Sequence, residues 1–237
     1  MEKIAKLSAV VAVAAVFAFS GALAAPQRPA RHIDQSMLID QAERTVDHMR
    51  NDPAFGPARD TLRRARAVLI VPALVKGGFI FGAEGGNGVL LSRTRDRWSE
   101  PAFFTMGSAS FGFQAGLEQA EIVMLVMSDR ALRAIEDGNV KIGAGGGLTV
   151  ATLSGGAEAA TAANLTGDLV LWTSASGLYG GLTLNGSVIK PRDEWNEQFY
   201  GRPVSVQAIL TGKVGSPEAN PLRAKLASVQ RARAEGR

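Results

Sequence analysis

The sequence predicts one α+β domain built on a strongly curved, mainly antiparallel and glycine-rich β-sheet system with flanking helices. Glycine interrupts short apolar runs in two segments: Lys76–Gly116 contains nine glycines and Gly138–Gly186 contains twelve. Phe79 and Phe81 are spaced two residues apart, as on one face of a strand. Outside the two segments, apolar residues spaced three to four positions apart indicate helices. Glycine inside strands marks bulges, bends and close backbone approaches, so the sheet is expected to coil sharply, with barrel-like closure left open.

The first 24 residues are predicted to be a secretory signal peptide. Lys3 and Lys6 form a basic start, an apolar stretch runs from Leu7 to Phe19, and Ala22-Leu23-Ala24 has the form of a cleavage site. Cleavage after Ala24 would deliver a periplasmic or secreted protein, the alternative being a retained N-terminal anchor. Residues 25–35 are then a linker, residues 36–212 the domain and residues 213–237 a basic C-terminal tail.

Composition excludes several classes of chemistry. The chain has no Cys, which removes disulfides, thiolate zinc sites and a Cys nucleophile. Its net charge of +4 is too small an excess to indicate a nucleic-acid partner.

The first half of the domain opens with two predicted helices. Leu38, Ala42, Val46 and Met49 place a helix over residues 36–51, and Gly56-Pro57 opens a second that ends near Arg66. Ala67–Val71 is a buried strand bounded by Pro72. Asn87-Gly88 stands between FIF and VLL and suits the tight turn of a β-hairpin, with a positive φ at Gly88.

Further strands are predicted over residues 102–105, 110–114 and 122–127, followed by a helix from Ser128 through Ile135 that Gly138 ends. The second glycine-rich half contributes short strands (VKIGAG, LTVATL, LVLWTS and GLTLNGSVI) and a second hairpin turn at Asn185-Gly186. Residues 191–200 are expected to be helical, and Asn220-Pro221 begins a last helix, with the end of the chain expected to be weakly ordered.

Familiar catalytic motifs are missing from the sequence. It contains no G-x-x-x-x-G-K-[ST] loop, no G-x-G-x-x-G opening a helix and no G-x-S-x-G elbow. His32 and His48 have no companion at metal-binding spacing. If the protein used a carboxylate as a general base, the candidates would be Glu84, Glu118 and Glu121. The alternative is that these residues lie in turns or on the surface. We therefore expect no cofactor, no metal and no enzymatic activity.

Two arginine sets are the candidate binding residues. Arg59, Arg63 and Arg66 share one helix face, and Arg93, Arg95 and Arg97 share one side of the chain if it stays extended. Trp98 follows, and an indole beside a lipid headgroup can bury its ring while its N–H stays hydrated. The alternatives are a solvated helix face, arginines that guard a sheet edge, and a buried Trp98.

Five separated motifs resemble the SYLF family, a lipid-binding module, over residues 58–210. They are Gly86-Asn87-Gly88-Val89, Trp98-Ser99-x-Pro101-Ala102, Gly112-x-Gln114-x-Gly116, Asn196 and Tyr200-Gly201. The resemblance implies phosphoinositide or membrane binding, with actin binding in some fungal members and no established catalysis. The favoured function is therefore peripheral binding of anionic phospholipid headgroups. The alternatives are an envelope structural or protein-interaction domain and, third, a hydrolase with an unrecognised carboxylate site. Actin is not expected as the native partner of an exported protein.

Overall fold

The structure is a computed structural model that describes residues 33–52, 59–78, 81–94, 97–111, 116–138, 140–142, 147–153, 167–174 and 187–231. These residues belong to one compact unit, His32–Arg237. The predicted signal peptide, most of the predicted linker, Arg95 and the predicted turn at Asn185-Gly186 lie outside the described residues.

The fold is α+β, as predicted: a strongly curved, mostly antiparallel half-barrel sheet with flanking helices. The described strands are β1 (Ala67–Gly78), β2 (Phe81–Thr94), β3 (Arg97–Trp98), β4 (Ala102–Phe111), β5 (Gly116–Val126), β6 (Val140–Lys141), β7 (Val150–Leu153), β8 (Leu169–Thr173) and β9 (Val188–Pro191). Their order is β6-β9-β4-β2-β1-β5-β8-β7, and β3 pairs with β2. Among these pairs, β7–β8 alone is parallel.

The described helices are α1 (Ile33–Asn51), α2 (Arg59–Arg64), α3 (Asp129–Glu136), α4 (Asp193–Tyr200), α5 (Val206–Leu210) and α6 (Asn220–Arg231), with a 3-10 turn at Pro217–Ala219. The predicted start and stop of α3 are confirmed. The Ser128 hydroxyl accepts a hydrogen bond from the Ala131 N–H, and Gly138 follows the helix with a φ of 66°. None of the described helices is long and apolar enough to cross a membrane.

Both faces of the sheet are covered. Alternate β1 residues separate into two apolar clusters: Val68 and Ile70 pack with α1, α2 and α6, while Leu69 and Val71 pack with α3 and α5. A strand buried on both faces needs a continuous apolar run, which explains the sequence from Ala67 to Val71.

The last described helix, α6, takes part in this packing. Leu222 and Leu226 on α6 are fully buried, and they belong to the same cluster as residues of α1. Burial of that face stabilises α6 against the sheet, so this part of the chain is ordered by tertiary contacts that the sequence pattern alone did not indicate.

The predicted hairpin turn at Asn87-Gly88 is wrong, because both residues lie inside β2. Gly78 pairs with Gly82, so the chain reverses direction between those two residues instead. β1 also continues through Pro72, where the pairing register shifts between Ile70 and Val75 as in a β-bulge. Likewise, the two strands expected over residues 102–105 and 110–114 form one strand, β4, up to Phe111.

Gly86 and Gly88 are needed where β2 passes this bulge. A Cβ built on Gly86 would lie 2.4 Å from the Ala73 carbonyl oxygen, and one on Gly88 would lie 2.7 Å from the Ile70 carbonyl oxygen. Gly88 is not among the described glycines with positive φ. The glycines therefore serve close backbone approach between two coiled strands rather than a tight turn.

Candidate functional site

Members of the two arginine sets meet where α2 ends beside the end of β2. The Arg93 backbone N–H donates to the Arg66 carbonyl oxygen at 2.7 Å, and Arg93 Nη1 donates to the Arg63 carbonyl oxygen. We call Arg63, Arg66 and Arg93 the Arg corner. Arg59 begins α2, but its side chain, like Arg95, lies outside the described residues. The prediction that Arg59, Arg63 and Arg66 share one helix face is wrong for Arg66, because α2 ends at Arg64.

Arg97 does not share a face with Arg93. The chain turns back after Thr94, and β3 pairs with the end of β2 so that Arg93 faces Trp98 and Thr94 faces Arg97. Cross-strand partners project to the same side of a sheet, and neighbouring residues project to opposite sides. The premise of an extended chain thus fails here, and the two arginines project to opposite faces of the hairpin.

Trp98 is buried, with 3% of its surface exposed, and it packs in the same apolar cluster as α1 and α6. Of the two alternatives open at the sequence level, the structure therefore supports the buried indole rather than one placed at a headgroup layer. Its Nε1 has no hydrogen-bond partner among the described residues.

Two of the three residues of the Arg corner are exposed to solvent, and Arg93 is half-buried. Arg63 is exposed, and Arg66 forms an ion pair with Asp129 over 3.3 Å in which both side chains are more than half exposed. An exposed pair of this kind contributes only about 0–1 kcal/mol, so the Arg66 guanidinium can exchange its carboxylate for another anion at small cost. A guanidinium offers paired N–H donors that match two phosphate oxygens.

Beside β3 lies a groove of about 490 Å³. We call it the Arg223 groove. It is lined by β3 and the residues after it, by the turn after α5, and by α6, with Arg97, Glu100 and Arg223 as its charged residues. Glu100 Oε1 accepts a hydrogen bond from Arg223 Nη1, and the Glu100 side chain is 8% exposed. Burial raises the pKa of Glu100, although Arg223 and the Ser216 amide oppose this shift.

Two residues of the motifs that resemble the SYLF family, Ser99 and Tyr200, form hydrogen bonds beside this groove. The Ser99 hydroxyl accepts from the Ser92 N–H at 3.0 Å, and the Tyr200 hydroxyl donates to the Pro101 carbonyl at 2.7 Å. Burial, followed by the charge of Glu100, raises the pKa of Tyr200 well above its usual range, so this hydroxyl stays a donor. These motif residues are therefore structural in the first instance.

Side-chain hydrogen bonds also join α4 to the sheet. Asn196, which is fully buried, accepts the Phe103 N–H on Oδ1 at 2.8 Å. Arg192 Nη1 donates to Asn87 Oδ1 at 2.9 Å, and the guanidinium stacks over Trp195 with its carbon 3.6 Å from the ring centroid. The residue Asn87, placed in a turn by the sequence pattern, instead anchors the start of α4.

The described carboxylate candidates make structural hydrogen bonds. Glu84 accepts from the Ser108 hydroxyl at 2.6 Å. Glu121 accepts from the Thr45 hydroxyl at 2.8 Å and lies 2.9 Å from His48 Nδ1, which joins β5 to α1. The Glu118 side chain is outside the described residues. Within the described ranges, no cluster of three or more metal-binding side chains occurs.

Sequence reasoning missed Glu100 and Arg223. Glu100 occupies the variable position of the Trp98-Ser99-x-Pro101 motif, and Arg223 was counted among the basic residues of the tail. They are separated by 123 residues, so no local spacing could pair them. The available signal was a single acidic residue, Glu100, inside an otherwise uncharged motif.

The fold and its charged residues define a class of protein, an α+β half-barrel domain that presents arginines on either side of one hairpin. Comparison with known proteins gives the family. The model of the Ysc84 family, described as "Las17-binding protein actin regulator", matches residues 107–229. The chain belongs to this family, also called SYLF.

Individual relatives agree. The chain is 33% identical to Protein YSC84 of Saccharomyces cerevisiae over 166 residues, which is 68% of this chain and 35% of that protein. It is 32% identical to human SH3 domain-containing YSC84-like protein 1 over 178 residues, which is 71% of this chain and 49% of that protein. LAS seventeen-binding protein 3 of Saccharomyces cerevisiae is 31% identical over 164 residues, 68% of this chain and 36% of that protein. The chain therefore spans about a third to a half of the length of these curated relatives.

Proposed function

We propose that this protein is a non-enzymatic module that binds the surface of anionic phospholipid membranes through arginine side chains. The observation that supports the proposal most directly is the Arg corner, where Arg63 in the last turn of α2 and Arg66 just after that helix meet Arg93 at the end of β2. Arg59 and Arg95 extend the same two segments, and their part in binding stays a prediction.

The geometry of the corner suits a layer of phosphate groups. Side chains from two elements converge there, and Arg93 is held by its bond to the Arg63 carbonyl oxygen, so less side-chain freedom is lost on binding. Each basic residue near an anionic leaflet contributes about 1 kcal/mol, so the three arginines together supply about 3 kcal/mol, enough for weak and reversible attachment.

Vesicle sedimentation tests the proposal. The protein is mixed with phosphatidylglycerol vesicles or with neutral phosphatidylcholine vesicles, at low salt and at 1 M salt. We expect binding to the anionic vesicles only, and loss of that binding at 1 M salt because the Debye length falls from about 10 Å at 0.1 M to about 3 Å.

Two double variants that remove the same amount of charge distinguish a specific role of the Arg corner from an effect of net charge. Arg63→Gln with Arg66→Gln should weaken vesicle binding by about 30-fold, because two contributions of about 1 kcal/mol are lost and 1.4 kcal/mol is a factor of ten. Arg133→Gln with Arg202→Gln removes the same charge from exposed positions elsewhere and should have a smaller effect. Equal losses in both double variants would contradict a role for the corner, and absence of any vesicle binding would reject the lipid function.

The proposed compartment is the periplasm or the extracellular space, supported by the signal-like pattern of residues 1–24. The absence of enzymatic activity is likewise proposed; the family description as an actin regulator supports it. Nucleic acid is not a proposed partner, and neither is actin in an exported protein.

Protein interaction is the second candidate function. The description "Las17-binding protein actin regulator" favours it, as does the name of LAS seventeen-binding protein 3. For this chain the proposed partner would be an envelope protein. Crosslinking in intact cells followed by mass spectrometry would test this, with the Arg63→Gln, Arg66→Gln variant as the comparison. A single partner retained by that variant, together with failed vesicle binding, would favour this function over the first.

A further inference from the structure

Two guanidinium groups line the Arg223 groove with hydrogen-bond donors that the protein does not use. Arg97 is exposed and makes no hydrogen bond or ion pair with any described residue. Arg223 donates from Nη1 to both Glu100 and Asn220, and its Nε is buried. Its Nη2 has no acceptor among the described residues and is not buried, so Nη2 is the Arg223 donor that a ligand can reach.

The groove also lies beside a free strand edge. The Arg93 N–H donates to the Arg66 carbonyl oxygen on the side of β2 away from β3, so the backbones of Arg93 and Trp98 do not bond each other across the hairpin. The Trp98 N–H and C=O therefore point away from β2, to a side of β3 with which none of the described strands pairs. Its indole faces away from Arg97 and takes no part. An edge of this kind accepts an extended peptide, whose backbone supplies the missing hydrogen bonds.

The charges narrow the class of peptide. Arg97 and Arg223 carry two positive charges in the groove, and Glu100 carries one negative charge. Lys213, exposed in the turn after α5, adds a further positive charge beside them. This excess favours a carboxylate, whose two oxygens match the paired N–H donors of a guanidinium. The volume of about 490 Å³ lies within the usual range for ligand sites, about 300–1,000 Å³.

We infer that the Arg223 groove is the docking surface for an acidic segment of a partner protein, bound in extended form. The backbone of the segment pairs with the free edge of β3, and one of its Asp or Glu side chains binds the Arg97 guanidinium and Arg223 Nη2. Glu100 holds Arg223 in place and does not contact the segment. This inference deepens the second candidate function, protein interaction, on which the existence of a natural partner rests, because it assigns the surface and the chemistry of that partner.

Selection from a displayed library of random heptapeptides tests the groove. The protein is the bait, and the peptide that enriches most is synthesised and titrated by fluorescence anisotropy. We expect one-to-one binding of a peptide that contains Asp or Glu. Replacing that acid by its amide should weaken binding about tenfold or more, because hydrogen bonds between two charged groups are among the strongest. Arg97→Gln should weaken binding to a similar extent for the same reason.

Controls separate the groove from net charge and from folding. Arg133→Gln removes one charge from α3, outside the groove, and should leave the affinity for the peptide unchanged. Arg63→Gln with Arg66→Gln removes charge from the Arg corner and should also leave it unchanged. Thermal unfolding verifies that each variant is folded, which we expect for Arg97→Gln because the side chain is exposed.

Methylation of the peptide amides, one at a time, separates strand pairing from attraction between charges alone. Successive N–H groups of an extended peptide point to opposite sides, so methylation should weaken binding at alternate positions. Equal effects at all positions, or no effect at any, would contradict pairing with β3.

Several results would overturn the inference. These are the absence of enriched peptides, enriched peptides without an acid, and equal binding of the peptide by Arg97→Gln and Arg133→Gln. Peptide binding that is lost with Arg63 and Arg66 but kept in Arg97→Gln would assign the peptide to the Arg corner instead. Phosphatidylglycerol vesicles that displace the peptide, and that bind Arg97→Gln more weakly than Arg133→Gln, would assign the groove to the membrane.

Crosslinking in intact cells distinguishes failure of this inference from failure of the second candidate function. A partner crosslinked equally by wild type and Arg97→Gln, without peptide binding, would leave the interaction function standing and overturn the groove. Peptide binding that depends on Arg97, without a crosslinked partner, would retain the groove and reject the envelope partner.

Discussion

Replacement of Gly86 by Ala tests how the curvature of the sheet is built. β2 passes the bulge of β1 so closely that a Cβ on Gly86 would lie 2.4 Å from the Ala73 carbonyl oxygen and 2.9 Å from Val71 Cγ1. Ordinary van der Waals contact begins at 3.4 Å, so the nearest atom must move by about 1 Å, and that atom belongs to the backbone rather than to a flexible side chain.

Overpacking of this kind typically costs about 1–3 kcal/mol. Gly85 is the matched control in the same strand, because its Cβ would meet nothing closer than the Met106 carbonyl oxygen at 3.8 Å. Gly85→Ala should be neutral or stabilise by about 0.4–1 kcal/mol, since Ala reduces the freedom of the unfolded chain. The free energies of unfolding of the two variants should therefore differ by at least about 1 kcal/mol.

Thermal unfolding followed by circular dichroism measures this difference. For a protein of this size, 1 kcal/mol corresponds to about 2–4 °C in Tm, so Gly86→Ala should melt about 2–12 °C below wild type. Equal melting temperatures for the Gly85 and Gly86 variants would refute the close-approach argument. Gly88→Val should destabilise for the same steric reason rather than through a positive φ.

Three further outcomes follow from the fold and the sequence. Asn196→Ala should lower the free energy of unfolding by about 1–3 kcal/mol in urea titration, because it leaves the Phe103 N–H buried without its partner; an unchanged midpoint would contradict that role. The hydrogen bond from the Ser128 hydroxyl, followed by that from the Thr149 N–H, lowers the pKa of Asp168 to about 2. A lowered folded pKa means that the ionised carboxylate stabilises the fold, so this contribution is complete above pH about 4 and is lost as the pH falls toward 2. Asp168→Asn should flatten the dependence of stability on pH in that window, and an unaltered profile would argue against it. Finally, mass spectrometry of the exported protein should show Ala25 as its first residue, whereas an intact Met1 in the membrane fraction would support the N-terminal anchor.

The sequence was most informative where the determining interactions are local. The helix that starts at Ser128 was predicted from its capping residue and from Gly138, because capping bonds join residues three or four positions apart. The continuous apolar run of Ala67–Val71 likewise indicated a buried strand. These interactions depend on neighbours along the chain, which the sequence displays directly.

The sequence correctly singled out Asn87 and Gly88 as structurally important, but it assigned them to a turn, which is wrong. Asn-Gly is typical of tight turns, yet here Gly88 permits close approach to Ile70 and Asn87 accepts a bond from Arg192. Contact with a bulge in the neighbouring strand overrides turn propensity, and that contact depends on residues that lie elsewhere in the chain.

Family membership and the α+β class were therefore determined by the sequence itself, as was the presence of two arginine sets. Only the tertiary structure decided that Arg93 meets Arg66 while Arg97 turns to the opposite face, because strand pairing, not spacing along the chain, orients their side chains. Only the tertiary structure could join Glu100 to Arg223 across 123 residues. The apolar face of α6 packs against the core, and this packing brings Arg223 next to Glu100. A buried charged group needs such a partner, and here the partner comes from a distant part of the chain.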